Sequence, residues 1–422
     1  MPNQDLTPPL PDAAPSGPSG PPGLAAAGAG RPVPSAGRPA AAPDLVVAGA
    51  GPFGLTVARV LAERGRRVAV VERRAHVGGN AHSEPDPATG IEVHRYGAHI
   101  FHTSNERVWE FLAPFTEWTG YTHRVFTNHA GVVYPMPVNL GTINQFFGTA
   151  LGPDQARALI AEQAGRGDAA ADGDGSELSL DVKATQMIGK PLYEAFIRGY
   201  TAKQWQVPPA ALPGSVIGRL PVRYTYDSRY FSDPHQGLPR DGYAALWERL
   251  ADHPLIEVRL GEDFLAGAGP YTKDSCAGRV PVVFTGPVDQ YFGYSRGPLG
   301  WRTLDFQWEH PATGDFQGCS VMNYADLEPP WTRVIEFRHF HPERDYPPDQ
   351  TVTAREFSRL AAPGDEPYYP VNTAEDRARL GEYRALAKAE TGVRFGGRLG
   401  RYQYLDMDMA IAAALTLADS LE

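Results

Sequence analysis

The sequence predicts an α/β fold whose first unit is Rossmann-like, built on a parallel sheet. Three observations predict it. The short apolar run Leu45-Val46-Val47-Ala48 has the composition of a strand buried on both faces. A glycine-rich turn and a helical stretch with an apolar face follow it directly. A second apolar run, Val68-Ala69-Val70-Val71, comes after the helix. Strand, turn, helix and strand in that order open a doubly wound sheet.

Each part of this unit has a physical job. The turn Gly49-Ala50-Gly51-Pro52-Phe53-Gly54 fits G-x-G-x-x-G. Gly49 permits the tight turn, Gly51 lets the backbone approach a pyrophosphate, and Gly54 lets helix and strand pack closely. Leu55, Ala58, Leu61 and Ala62 share one helical face, and Gly65 stands where a helix ends. The helix N-terminus offers free N–H groups and a positive dipole end to phosphates. Glu72 closes the second strand 21 residues beyond Gly51, where a carboxylate accepts from a ribose 2′-OH. The unit therefore reads as a dinucleotide site, with Phe53 inside the turn. Arg73-Arg74 and Gly78-Gly79-Asn80 follow the acid directly. Such an extended glycine-containing segment suits a cofactor lying along the protein and favours FAD, with Arg73, Gly79 and Asn80 among its contacts.

The 422 residues suggest two to three domains at roughly 150 residues each. With 42% apolar and 21% charged residues the chain has an ordinary soluble, globular composition. Its 39 basic against 49 acidic residues argue against nucleic-acid coating or general membrane-surface binding, yet leave room for a local basic pocket. Two cysteines make no disulfide framework, which points to a reducing, cytoplasmic setting. Residues 1–43 hold 12 of the 40 prolines and no aromatic residue, so this tail is expected to be disordered. No run approaches the roughly 18 apolar residues that insert in a membrane. The polar stretch Arg166 to Ser179 reads as a surface loop. No hydrolytic triad stands out. His99 and His102 in GAHIFHT lack the glutamate of H-E-x-x-H, so no metal is expected.

Beyond the dinucleotide unit the chain resembles a known family. GAGPFG, VVERRAHVGGNAHSE and HRYGAHIFHTSNERVWEFL are similar to the start of bacterial UDP-galactopyranose mutases. The likeness continues in order through GYTAKQW, RLPVRYTYD, YFSDPHQGLPRDGY, TGPVDQYF, WTRVIEFRHF, GDEPYYPVN and FGGRLGRYQYLDMDMAI. The resemblance implies an FAD enzyme that interconverts UDP-galactopyranose and UDP-galactofuranose with no net redox change. In that family the reduced flavin N5 attacks the sugar C1 and displaces UDP; the adduct opens, the ring recloses at another hydroxyl, and UDP returns. It further implies an external reductant such as NAD(P)H or a reductase, a homodimer or higher homo-oligomer, and galactofuranose supply for cell-surface glycans. By the same analogy the FAD domain is discontinuous, in residues 44–105, 243–290 and 378–422. A helical domain with a mobile substrate lid spans 139–220, and an antiparallel sheet domain takes 106–138, 221–242 and 291–377.

The resemblance also implies roles for single residues. Arg219 in RLPVR and Arg333 in WTRVIE would hold the two phosphates, because guanidinium forks match phosphate oxygens. UDP is the leaving group, so both would stabilise developing charge. Arg223 is the rival of Arg219. Trp205 in KQW would line or gate the sugar pocket, with Phe196 and Tyr200, on one face of the same helix, near the uracil. Where the family usually has glycine after this tryptophan, this chain has Gln206. Tyr230, Tyr369 and Tyr404 would reach the diphosphate and sugar, with Tyr368 the rival of Tyr369. His99 and His102 would lie against the flavin, acting directly or shaping its surroundings. Arg398 would stabilise a reduced, anionic flavin. Met407 opens the last helix towards the flavin, and Asp406 before it is either an N-cap or a substrate ligand. Two rivals remain on this scaffold: a flavin oxidase, and a catalytically inactive FAD- or UDP-binding protein.

Overall fold

The computed structural model describes residues 42–165, 178–217, 221–267 and 269–421. Nearly all of the proline-rich tail, most of the polar stretch after Gly165, and Arg219 lie outside the described residues.

The first sheet has five strands, all parallel, in the order Val393–Phe395, Val282–Phe284, Leu45–Ala48, Val68–Glu72 and Ile256–Leu260. Leu45–Ala48 and Val68–Glu72 are buried throughout, as their continuous apolar runs require. The glycine turn joins them through helix Pro52–Glu63, which has proline at its start, where no hydrogen bond is lost. The last helix, Met407–Asp419, packs against this first helix and brings the chain's end back to the glycine turn.

The second sheet has seven strands, in the order Tyr369–Pro370, Trp301–Glu309, Thr353–Leu360, Arg333–Glu336, Val321–Tyr324, Val125–His129 and Val132–Met136. An antiparallel sheet was expected; one pair, Val321–Tyr324 with Val125–His129, is parallel. Their connection runs through the helices and much of the first sheet, so no hairpin forces the two strands to oppose. Register aligns four residues directly across four strands: Glu356 faces Arg333, Arg333 faces Asn323, and Asn323 faces Thr127. Directly opposed residues share a face, so these side chains form one polar row.

After the strand Val132–Met136 the chain forms the helices Leu140–Phe147, Pro153–Gly165 and Leu180–Ile188. Asn139 and Thr142 form a reciprocal cap at the start of the first. Tyr193–Arg198 is then a π-helical turn, and Gly199–Trp205 an α-helix that Gln206 ends in a left-handed conformation. One continuous apolar core runs from the parallel sheet through these helices to the second sheet. Cys276 and Cys319 are both free.

Candidate active site

A cavity of about 520 Å³ begins at the glycine turn and ends on the second sheet. At its first end the backbone is shaped for close approach. Gly49 sits at φ +111°, and a Cβ there would meet the Thr285 hydroxyl at 2.0 Å. A Cβ on Gly54 would come 2.0 Å from the Gly49 carbonyl oxygen, so helix and strand touch here. A Cβ on Gly51 would meet nothing within 4 Å, so its exposed side is open space. Glu72 is buried, and its carboxylate accepts from the N–H of Ala50 at 2.8 Å and of Arg74 at 2.9 Å. The acid predicted to meet a ribose thus also fixes the turn that would hold the phosphates.

Arg73, Gly79 and Asn80 join this wall. Arg73 and Arg74 both pair with Glu366, at 2.6 and 2.7 Å, and Arg74 donates to Asn80 Oδ1 at 2.8 Å. Arg74 Nη1 is buried with no partner among the described residues. The ring of Phe53 fills the space where a Cβ on Gly396 would lie, 2.3 Å away. That contact locks the first turn to the chain's final segment, where Gly397–Gly400 forms one helical turn after strand Val393–Phe395. Arg398 lies in that turn, its guanidinium donating to the carbonyls of Tyr368 and Pro367. Burial pulls its pKa down.

The histidines stand along the middle of the wall. His99 precedes strand Phe101–Thr103, and His102 lies within it, so neither is helical. His99 Nδ1 lies 2.8 Å from the Gly97 carbonyl, which can only accept; Nδ1 therefore carries the proton and Nε2 is left as an acceptor. Burial lowers its pKa to about 4, so the ring is neutral at neutral pH. His102 donates to Asp233 at 2.8 Å and stacks on Phe231 with ring centroids 3.6 Å apart. Asp406 occupies the N-cap of the last helix without capping it through its side chain, and both it and Met407 line the cavity.

The second-sheet end is built around Arg333. Its Nη2 donates to the Tyr200 hydroxyl at 2.6 Å, and its Nε lies 3.2 Å from Glu356 Oε1. Burial works against the Arg333 charge, but Glu356 and the surrounding tyrosines outweigh it and raise its pKa. Burial pushes the Tyr200 hydroxyl up to about 12, so it keeps its proton. Phe196, Tyr230, Tyr369 and Tyr404 complete this end, with Tyr369 and Tyr404 stacked at 5.9 Å. Tyr368 also lines the cavity, so both neighbouring tyrosines contribute. Arg223 is occupied elsewhere, donating to Ser232 Oγ at 2.8 Å and to the Arg229 carbonyl.

Trp205 is not among the lining residues; it packs against the core instead. Five residues past Tyr200, at about 100° per residue, it points well away from the tyrosine's face. His123, Asn323 and Glu356 are among the lining residues that escaped sequence reasoning. Asn323 Oδ1 is buried without a partner among the described residues. His123 Nδ1 bonds the Tyr121 hydroxyl at 2.9 Å, and burial lowers its pKa to about 3. For His123 the sequence signal was its alternation with Val125 and Thr127.

Fold and cavity together define a Rossmann-type dinucleotide-binding protein whose site extends onto a second, mixed sheet. A family model described as UDP-galactopyranose mutase matches residues 195–404, and one described as NAD(P)-binding Rossmann-like domain matches residues 47–115. A Klebsiella pneumoniae protein named "Probable UDP-galactopyranose mutase" is 43% identical over 379 residues, covering 89% of this chain and 94% of that protein. The dTDP-fucopyranose mutase of Escherichia coli is 42% identical over 375 residues, covering 89% of this chain and 97% of that protein. A crystal structure of reduced UDP-galactopyranose mutase superposes with a TM-score of 0.66 at 15% identity, over 90% of this chain and 95% of that one. The chain belongs to the UDP-galactopyranose mutase family.

Proposed function

We propose that this protein interconverts UDP-galactopyranose and UDP-galactofuranose using bound FAD in its reduced form, with no net redox change. The observation that carries the reading is the position of Arg333: a half-buried cation on the wall of a cavity continuous with the dinucleotide turn. The site fits FAD. The space beside Gly51 is open for a pyrophosphate, Arg74 Nη1 is a buried donor with no partner among the described residues, and the cavity wall includes both Gly79 and Arg398. When bound and reduced, the flavin supplies a nucleophile for the sugar's anomeric carbon and takes no electrons overall.

The chain's own residues do the rest. Arg333 holds the diphosphate and neutralises charge as UDP departs, with Arg219 as its expected partner. Tyr200, fixed by Arg333 and still protonated, donates to a phosphate or ribose oxygen. Tyr369 and Tyr404 form a rigid wall beside the sugar, and Asp406 presents its carboxylate there. Neutral His99 offers Nε2 as an acceptor beside the cofactor. Arg398 keeps positive charge near it and favours an anionic reduced form. An external reductant such as NAD(P)H or a reductase charges the enzyme, and the product feeds galactofuranose-containing glycans. Among the described residues no helix is long and apolar enough to cross a membrane.

The test is anaerobic incubation of dithionite-reduced enzyme with UDP-galactofuranose, followed by product analysis, with a dTDP-6-deoxyfuranose as the competing substrate. UDP-galactopyranose formed only after reduction supports the proposal. Oxygen-linked turnover without reductant would mean an oxidase. UDP binding without conversion would mean a binding protein, and preference for the deoxysugar would move the substrate to that of the second relative.

A further inference from the structure

The helix Gly199–Trp205 carries Tyr200 to Arg333, and its far end is fastened to the second sheet by a residue outside the cavity. Gln206 ends the helix at φ +56°, a conformation that side chains other than glycine adopt at a cost. Its Oε1 accepts from Arg302 Nη1 at 3.3 Å. Arg302 is 0% exposed, yet among the described residues no carboxylate pairs with it; its other partner is Ser358 Oγ, at 2.9 Å from Nη2. The same Ser358 hydroxyl donates to the Gln204 carbonyl at 2.7 Å. A buried guanidinium and a serine thus reach from neighbouring strands to grip the last turn of the helix.

The other attachments of the helix are closer. Gly199 packs so tightly that a Cβ would come 2.3 Å from the Ala325 carbonyl oxygen. The Lys203 ammonium donates to the carbonyls of Tyr324, Pro329 and Trp331, each at 2.9 Å. The Gln206 bond differs. It is a long bond from a neutral acceptor to a charge that burial has stripped of water, and burial draws the Arg302 pKa down to about 10, with Arg359 adding to the effect. A carboxylate at this place would bind the guanidinium far more strongly, and a hydrogen or methyl would not bind it.

We infer that Gln206 is a positioning residue: by its graded bond to Arg302 it sets how firmly Tyr200 is held on Arg333, and so sets the affinity and residence time of the nucleotide diphosphate. The inference rests on the proposed function for its ligand, and its test does not need turnover. UDP binding to the oxidised holoenzyme is measured by calorimetry and its release by stopped flow, for wild type and for Gln206→Gly, Gln206→Ala and Gln206→Glu. Loss of this long bond in the Gly and Ala variants weakens UDP binding about threefold to tenfold, mainly through faster release. Gln206→Glu tightens binding by at least as much and slows release. Gln206→Gly relieves the left-handed strain, so its thermal midpoint holds or rises while affinity falls; a merely structural role would move the two together. In turnover, KM rises more than kcat falls for Gly and Ala. The inference is overturned when Gly and Glu shift UDP affinity in the same direction, or when neither shifts it more than twofold. Wild type that binds UDP without converting UDP-galactofuranose defeats the proposed function and leaves the affinity comparison readable.

Discussion

The Tyr200 hydroxyl accepts a hydrogen bond from Arg333 Nη2 at 2.6 Å, joining a short helix to a strand 133 residues further along the chain. Because the arginine supplies that proton, the tyrosine's own proton is free for a ligand. Tyr200→Phe removes both bonds. The expected result is a fivefold to thirtyfold rise in KM for UDP-galactofuranose, about 1–2 kcal/mol, with a smaller change in kcat. Steady-state kinetics of the reduced enzyme check it; an unchanged KM would detach this hydroxyl from the nucleotide.

Arg333→Ala removes a cation from beside Glu356, which is 3% exposed. Turnover should vanish while FAD absorbance persists. Stability should fall by about 2–4 kcal/mol, somewhat less than for a fully enclosed pair because the Arg333 side chain is 28% exposed. Adding Glu356→Gln should restore most of the stability and none of the turnover. Recovery of activity in the double variant would falsify the role of Arg333 in catalysis.

Two glycines five and two positions into the same turn should respond differently to alanine. At Gly54 the new methyl collides with the Gly49 carbonyl, so Gly54→Ala should lower the thermal midpoint even without cofactor. At Gly51 the methyl has open space, so Gly51→Ala should leave the cofactor-free midpoint unchanged and lower flavin retention on dialysis. Equal flavin content in Gly51→Ala and wild type would mean that the pyrophosphate passes elsewhere.

Acid should destabilise the protein before its carboxylates titrate. His76, His99 and His123 have folded pKa values of about 4, 4 and 3, all lowered chiefly by burial. In the unfolded chain each binds its proton near 6.5, so between that value and the folded pKa the unfolded state binds more protons. Stability is therefore fully present above about pH 6.5 and declines as pH falls towards 4. Each such histidine accounts for about 2 kcal/mol between pH 7.5 and 5. Urea unfolding at the two pH values should show the loss, and His123→Gln should reduce it; the same loss in that variant would remove His123 from the account.

The dinucleotide unit was legible because its determinants are local. Gly49, Gly51, Gly54 and Glu72 are set by a turn and two adjacent strands, and each lines the cavity. Resemblance, not spacing, singled out Arg333 and the tyrosines. Asn323 and Glu356 stayed hidden because strand register, not sequence proximity, brings them beside Arg333. Trp205 was legible as a residue but not as a direction: the π-helical turn at Tyr193–Arg198 and the five-residue step beyond Tyr200 turn it to the core. Glu72 shows a further limit, since a motif predicts one partner for a carboxylate that also accepts two backbone N–H groups.

The parallel pairing of Val321–Tyr324 with Val125–His129 has a consequence for how the molecule is made. Thr127 and Asn323 are neighbours in space but are synthesised far apart in time. Pairing at such sequence separation is entropically late and slow. A nascent chain emerging from the ribosome has its glycine turn and second strand long before it has Asn323, Arg333 or Glu356. Its last parallel strand, Val393–Phe395, arrives later still. The row of Thr127, Asn323, Arg333 and Glu356 can close only near the end of translation, so partial chains should lack this end of the cavity.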